Sequence, residues 1–243
     1  MIEMQKIKTS LNNSNKNKLK KIPEIEVQNK SLGLLRTEHK RDFYNPNIIT
    51  TSLINTIGEV FGKEVFELNE GNSNSVGLSI SVIPQYQQKG VHLGEILRLS
   101  SIMMILENKI KNFEIFSKST AIYFHTKYKF EPAITNFDER DSALSSVLKN
   151  CKDKEEYKEY EEAAKELLEK ANTHKDAETQ RNLCKQTNDL LKKYLKKVSA
   201  AKDEYKKHPF SHGIKMVLNI ENILNNKTFF NNLFENHKID YKI

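Results

Sequence analysis

Apolar positions along this chain change their period several times, and each change predicts an element. Glu24–Gln28 and Leu32–Arg36 alternate and read as short strands. Asn45-Pro46-Asn47 reads as a turn. From Ile48 to Phe61 the apolar residues Ile49, Leu53, Ile57 and Val60 or Phe61 recur at helical spacing, so a helix is expected there. Glu64–Leu68 and Val76–Val82 read as strands of a hairpin joined by the turn-rich run Asn69 to Asn74. Pro84 closes the second. Leu93–Lys109 reads as a helix, apolar at Ile96, Leu97, Ile102, Met103, Ile105 and Leu106. Phe113–Phe116 reads as a strand, Ser119 or Thr120 as the cap of a following helix, and Phe130–Ile134 as a returning strand.

Between 138 and 207 the pattern becomes purely helical, without Gly or Pro. Tyr157, Tyr160, Ala164, Leu167, Leu168 and Ala171 form one stripe, and Leu183, Thr187, Leu190, Leu191, Tyr194 and Val198 a second. Asp153 with Glu156, and Thr173 with Asp176, read as helix starts. The first arm is acidic, with eight acids against four bases over 153–170; the second is basic, with eight bases against three acids over 185–207. Opposite charge and a break near 172–175 predict an antiparallel helical hairpin. Gly213–Leu218 then reads as a strand and Ile220–His237 as a final amphipathic helix. The expected organisation is a basic tail over 1–21, a core over 22–137, the hairpin over 138–207, and a last core strand and helix over 208–243. The fold class is α+β.

Charge refines this picture. Six Lys and one Glu lie in residues 1–21, so the tail holds most of the net +7 and reads as disordered. Lysines number 34 against 5 arginines, which argues against an evolved nucleic-acid surface. No apolar run has the length of a membrane span, and the first residues lack the apolar core of a secretory signal. With two cysteines, Cys151 and Cys184, there is no disulfide framework, and a cytoplasmic location is expected. No Cys/His group has zinc spacing. His208 and His212 are four apart, but Pro209 and Gly213 argue against a helical metal pair.

Two segments carry chemistry. Val82-Ile-Pro-Gln-Tyr-Gln-Gln-Lys-Gly-Val-His-Leu93 joins a strand to a helix whose N-terminus suits a pyrophosphate, with Gly90 allowing close backbone approach. About thirty residues later comes Ala121-Ile-Tyr-Phe-His-Thr-Lys-Tyr-Lys-Phe-Glu-Pro132. The first resembles the Arg/Gln-x-x-Gly-x-Gly/Ala motif of the GNAT acetyltransferase superfamily through Gln87 and Gly90, with His92 where the family has Gly or Ala. The second resembles its Asn-x-x-Ala-x-x-Phe-Tyr-x-Lys-x-Gly-Phe motif through Ala121, Phe124, Lys127 and Phe130. Lys118, His125 and Lys129 depart from it. The resemblance covers about residues 60–135 and 213–219.

That resemblance implies a mixed sheet flanked by helices, with the hairpin set between the last two strands. It implies an acyl-CoA-dependent N-acyltransferase, using acetyl-CoA and an amine acceptor of unknown identity. Val82, Ile83, Gln87, Gln88, Lys89, Gly90, Val91, His92, Lys118 and Phe124 would hold the co-substrate. A strand bulge near Ser81–Ile83 would supply the oxyanion amide. His125 stands where the family has a Tyr acid, with Tyr123 and Tyr128 as alternatives. Glu67, or else Glu64, would be the base, and no metal is implied. The 138–207 segment offers a surface for a protein partner or self-association. A second reading of the same residues is a GNAT-fold binding module without turnover.

Overall fold

The computed structural model describes residues 22–68, 74–87 and 90–243. The tail expected over 1–21 and the tip of the turn over 69–73 lie outside these.

An eight-stranded sheet organises the chain. In sequence it comprises β1 (Glu26–Asn29), β2 (Gly33–Arg41), β3 (Ile48–Asn55), β4 (Val60–Leu68), β5 (Asn74–Val82), β6 (Asn112–Ser117), β7 (Glu131–Pro132) and β8 (Ile214–Asn219). Their spatial order is β1-β2-β3-β4-β5-β6-β8-β7. β1 to β5 form an antiparallel meander. β5 and β6 are parallel, so a crossover is required, and α1 (Leu93–Glu107) supplies it. β8 pairs antiparallel with both β6 and β7.

The helix expected over 48–61 is overturned. Residues 48–61 form β3, a turn and the start of β4 instead of a helix. The helical spacing of Ile49, Leu53 and Ile57 coincides with a strand alternation in which Ile49, Thr51 and Leu53 are buried. Thr51 hides that alternation, because its hydroxyl is counted as polar in the sequence. The β-branched run Ile48-Ile-Thr-Thr51 favours the extended form. Asn55 closes the turn: its Oδ1 accepts from the amides of Ile57 and Glu59, and Gly58 takes φ +84°.

α1 is buried nearly all round, from Leu93 to Ile105, because it lies between the inner sheet face and the C-terminal helix α6 (Ile220–Asn225), against which α7 (Lys227–Asn236) packs. Phe66, Phe113, Ile49, Leu53 and Met216 form the sheet side of this core. Each contributes roughly 1.5–3 kcal/mol on burial. The outer face carries exposed or half-buried positions such as Glu38, Thr50, Lys63, Ser79 and Phe116.

Three helices, not two arms, lie between β7 and β8: α3 (Phe137–Cys151), α4 (Lys158–Thr173) and α5 (Ala177–Ala200). Asn136 caps α3 through the amide of Glu139, and Asp176 caps α5 through that of Thr179. α4 and α5 pack on each other across a short turn at 174–176, with Lys197 3.9 Å from Glu159. α5 also packs along β7 and against the short helix α2 (Ile122–Lys127). Among the described residues no helix is long and apolar enough to cross a membrane.

Candidate functional site

The site begins where two strands part. β5 pairs with β6 only from Asn74↔Asn112 to Gly77↔Ile115. The strands press together there, since a Cβ on Gly77 would lie 2.8 Å from the Ile115 side chain. The next residue, Leu78, is an extra residue against β4, where Val65 pairs Ser79 and Phe66 pairs Gly77. This bulge bends the strand, and beyond it β5 follows β4 and leaves β6. The bulge thus lies at Leu78, not near Ser81–Ile83. The amide of Ile83 donates to the Phe61 carbonyl on the β4 side. By alternation, the backbone groups of Ile80 and Val82 face the gap. Gln87 reaches back from the following turn, its Nε2 donating to the Val82 carbonyl at 2.9 Å.

The gap opens into a cleft of about 710 Å³ reaching the N-terminus of α1. Gly90 and His92 both take left-handed backbone there, at φ +66° and +57°. No side chain caps the helix, and the first amides bonded back to the His92 carbonyl are those of Glu95 and Ile96. The amides of Leu93 and Gly94 are therefore free of helix partners at the cleft wall. Gly94 keeps the wall low beside Phe124, whose ring a Cβ would meet at 3.5 Å. Lys118 and Thr120 stand on the opposite wall.

Glu95, in the first turn of α1, is a hub that the sequence reading missed. Lys127 Nζ and Tyr128 Oη donate to its Oε2 at 2.6 and 2.5 Å, and His237 Nε2 lies 2.7 Å from Oε1. Burial would raise its pKa, but His237, Lys127 and Tyr128 together hold it well below the usual carboxylate range.

Beneath the gap lies a buried polar cluster. Arg98 Nη1 donates to Glu64 Oε1 at 3.0 Å, and Ser101 Oγ donates to Glu64 Oε2 at 2.5 Å. Arg98 Nη2 lies 3.3 Å from His125 Nδ1, and the guanidinium stacks 4.9 Å from the Phe130 ring centroid. Arg98 Nε has no partner among the described residues. Burial pushes Glu64 up, against the pull of Arg98 and Ser101. Burial, helped by the Arg98 charge, pushes His125 down to about 2. The imidazole is therefore neutral, accepting at Nδ1 and carrying its proton at Nε2.

The expected co-substrate residues fall unevenly. Val82, Gln87, Gly90, His92, Lys118 and Phe124 line the cleft. Val91 is buried, its carbonyl accepting from Asn29 Nδ2, and Ile83 is occupied on β4. Gln88 and Lys89 lie outside the described residues. Glu67 is misplaced as a base: three residues from Glu64 on one strand, it faces the outer side while Glu64 faces the gap. His125 reaches the cluster but cannot supply a proton as an imidazolium at neutral pH. Tyr123 and Tyr128 are not free either, donating to the His208 carbonyl and to Glu95. Arg98 and Ser101 carried a readable signal, since polar residues three apart on an otherwise apolar helix face must find partners.

No family model and no curated protein matches the chain. Solved structures do. A putative acyl-CoA N-acyltransferase from Klebsiella pneumoniae is 16% identical, with 37% of this chain matching 62% of that one at a TM-score of 0.33. A GNAT family acetyltransferase from Elizabethkingia anophelis with acetyl-CoA bound is 16% identical over 36% of this chain and 57% of its own, TM-score 0.33. A putative streptothricin acetyltransferase from Bacillus anthracis in complex with acetyl coenzyme A is 16% identical over 50% of this chain and 83% of its own, TM-score 0.32. The chain thus matches under two thirds of the length of the first two. Each of these is a likeness over half of this chain or less.

Proposed function

We propose that the protein is an acyl-CoA-dependent N-acyltransferase, moving an acetyl group from acetyl-CoA to a primary amine by direct attack. One observation carries this reading: the parting of β5 from β6 at Leu78 joins a free helix N-terminus to a buried Glu64–Arg98–His125 cluster. A pyrophosphate suits the amides of Leu93 and Gly94, with Lys118 opposite. The gap-facing groups of Ile80 and Val82 suit the two amides of a pantetheine arm. The thioester then falls beside the bulge, where a backbone amide receives the developing oxyanion.

Attack forms the N–C bond and breaks the C–S bond. Glu64, with its raised pKa, takes the surplus proton from the amine nitrogen, directly or through water. His125, neutral with its proton at Nε2, donates a hydrogen bond to the departing thiolate without protonating it. Three helices set between the last two strands shape access to this site in the same reading, and their exposed faces are open to a protein partner.

One observation favours a second reading, a GNAT-fold CoA-binding or protein-interaction module without turnover. His125, where the family has a Tyr acid, is held neutral by burial and the Arg98 charge and cannot protonate a departing thiolate. Thiol release from acetyl-CoA in a panel of amines, alongside calorimetry, separates the two. Amine-dependent thiol release supports the enzyme. Binding without release supports the module, and neither would discard both.

A further inference from the structure

We propose that the acceptor is a primary amine carried on an apolar aryl or alkyl body, gripped by Leu78 and Phe116. This rests on the acyl-transfer reading and adds the substrate class. A narrow cavity of about 40 Å³ passes between the parted strands to Glu64, Arg98 and His125. That is room for an amino group and little else, so the rest of the acceptor stays at the mouth. Leu78 and Phe116 form the two sides of the mouth and are 50% and 67% exposed. Two large apolar side chains so open, facing each other at the rim of a polar cavity, offer an apolar surface for a ligand to cover.

Both side chains are held in place. Leu78 is the bulged residue itself, aimed outward by the extra position in β5. The Phe116 ring rests on Gly213, where a Cβ would lie 2.8 Å from it. The charges nearby do not suit a polycation. Glu114 is occupied by Lys215 at 2.7 Å. Lys215 is also the cross-strand neighbour of Phe116 and repels a second cation. Glu67 pairs with Val76, two residues before Leu78, and is one carboxylate against the several ammonium groups of a polyamine. The single ammonium of an arylalkylamine sheds its proton to solvent on entry, the free amine attacks and passes its surplus proton to Glu64, and its body covers Leu78 and Phe116.

The test is the initial rate of thiol release from acetyl-CoA with 2-phenylethylamine, hexylamine, spermidine and Nα-acetyllysine. The account expects kcat/KM for the first two to exceed that for spermidine at least tenfold. Phe116→Lys should lower kcat/KM for 2-phenylethylamine about tenfold, leaving the acetyl-CoA Kd unchanged by calorimetry, and Leu78→Asp, beside the thioester, should lower it at least as much. Both positions are exposed, so the variants should keep the parent melting temperature. A preference for spermidine that Glu67→Gln removes would overturn the acceptor class while leaving acyl transfer standing. Unchanged 2-phenylethylamine kinetics in both rim variants would overturn it too. Failure of the parent to bind acetyl-CoA would overturn both.

Discussion

Nδ1 of His125 lies 3.3 Å from Nη2 of Arg98, in a core whose burial already disfavours charge on the ring. Burial excludes a second proton from the ring, and a permanent cation at that distance reinforces it. Burial and the Arg98 charge push folded His125 down to about 2, whereas an unfolded histidine titrates near 6.5. Below pH 6.5 the unfolded chain therefore binds a proton that the native one does not. Stability falls as pH falls, by up to about 1.4 kcal/mol per unit from this group. Urea unfolding from pH 7 to 4 should show a smaller loss in His125→Gln than in the parent. Equal pH slopes would mean the ring is not held neutral.

Glu95 acts in the same direction at lower pH. Its depressed pKa contributes stability fully above about 4.5, the ordinary carboxylate range, and that is lost as pH falls below it. Its charge also opposes an anion at the α1 N-terminus. Glu95→Gln should strengthen acetyl-CoA binding about two- to fivefold at low salt, within the range of helix-dipole interactions. Weaker binding in this variant would instead assign Lys127 and His237, held by Glu95, to the phosphates.

Gly90 tests the turn. Its φ of +66° disfavours any side chain, although a Cβ would meet nothing within 4 Å. Gly90→Ala should cost about 1–2 kcal/mol of stability and leave affinity within a few-fold of the parent. Gly90→Glu adds a charge at the cleft wall and should abolish acetyl-CoA binding by calorimetry while the protein still folds.

Gly77 tests the parting of the strands. A valine there collides with Ile115 and Phe113. Gly77→Val should lower stability by about 1–3 kcal/mol, since such overpacking forces backbone shifts. Thermal unfolding measures this, and an unchanged midpoint would show that the strands are not in close contact.

Much of this was legible in the sequence. The strand–turn–helix around Gly90 and the α1 pattern from Leu93 needed only local rules, because a glycine, a proline and an apolar run mark them. Ile48–Phe61 was misread because Thr51 is buried in a strand, and residue type alone does not reveal that. α3 was merged into the hairpin although Asn136 with Glu139 marks its start. Glu95 was invisible as a hub because its partners Lys127, Tyr128 and His237 come from two distant elements. The choice between Glu64 and Glu67 turned on strand facing, which a bulge or a one-residue slip in the sequence reading reverses.

The central claim is that the β5–β6 gap is where a CoA thioester lies. A crystal structure of the protein with acetyl-CoA measures this most directly. The account predicts the pyrophosphate on the amides of Leu93 and Gly94, the pantetheine arm bonded to Ile80 and Val82, and the thioester carbonyl beside Leu78. Acetyl-CoA bound elsewhere on the molecule, or no binding at millimolar concentration, would contradict it.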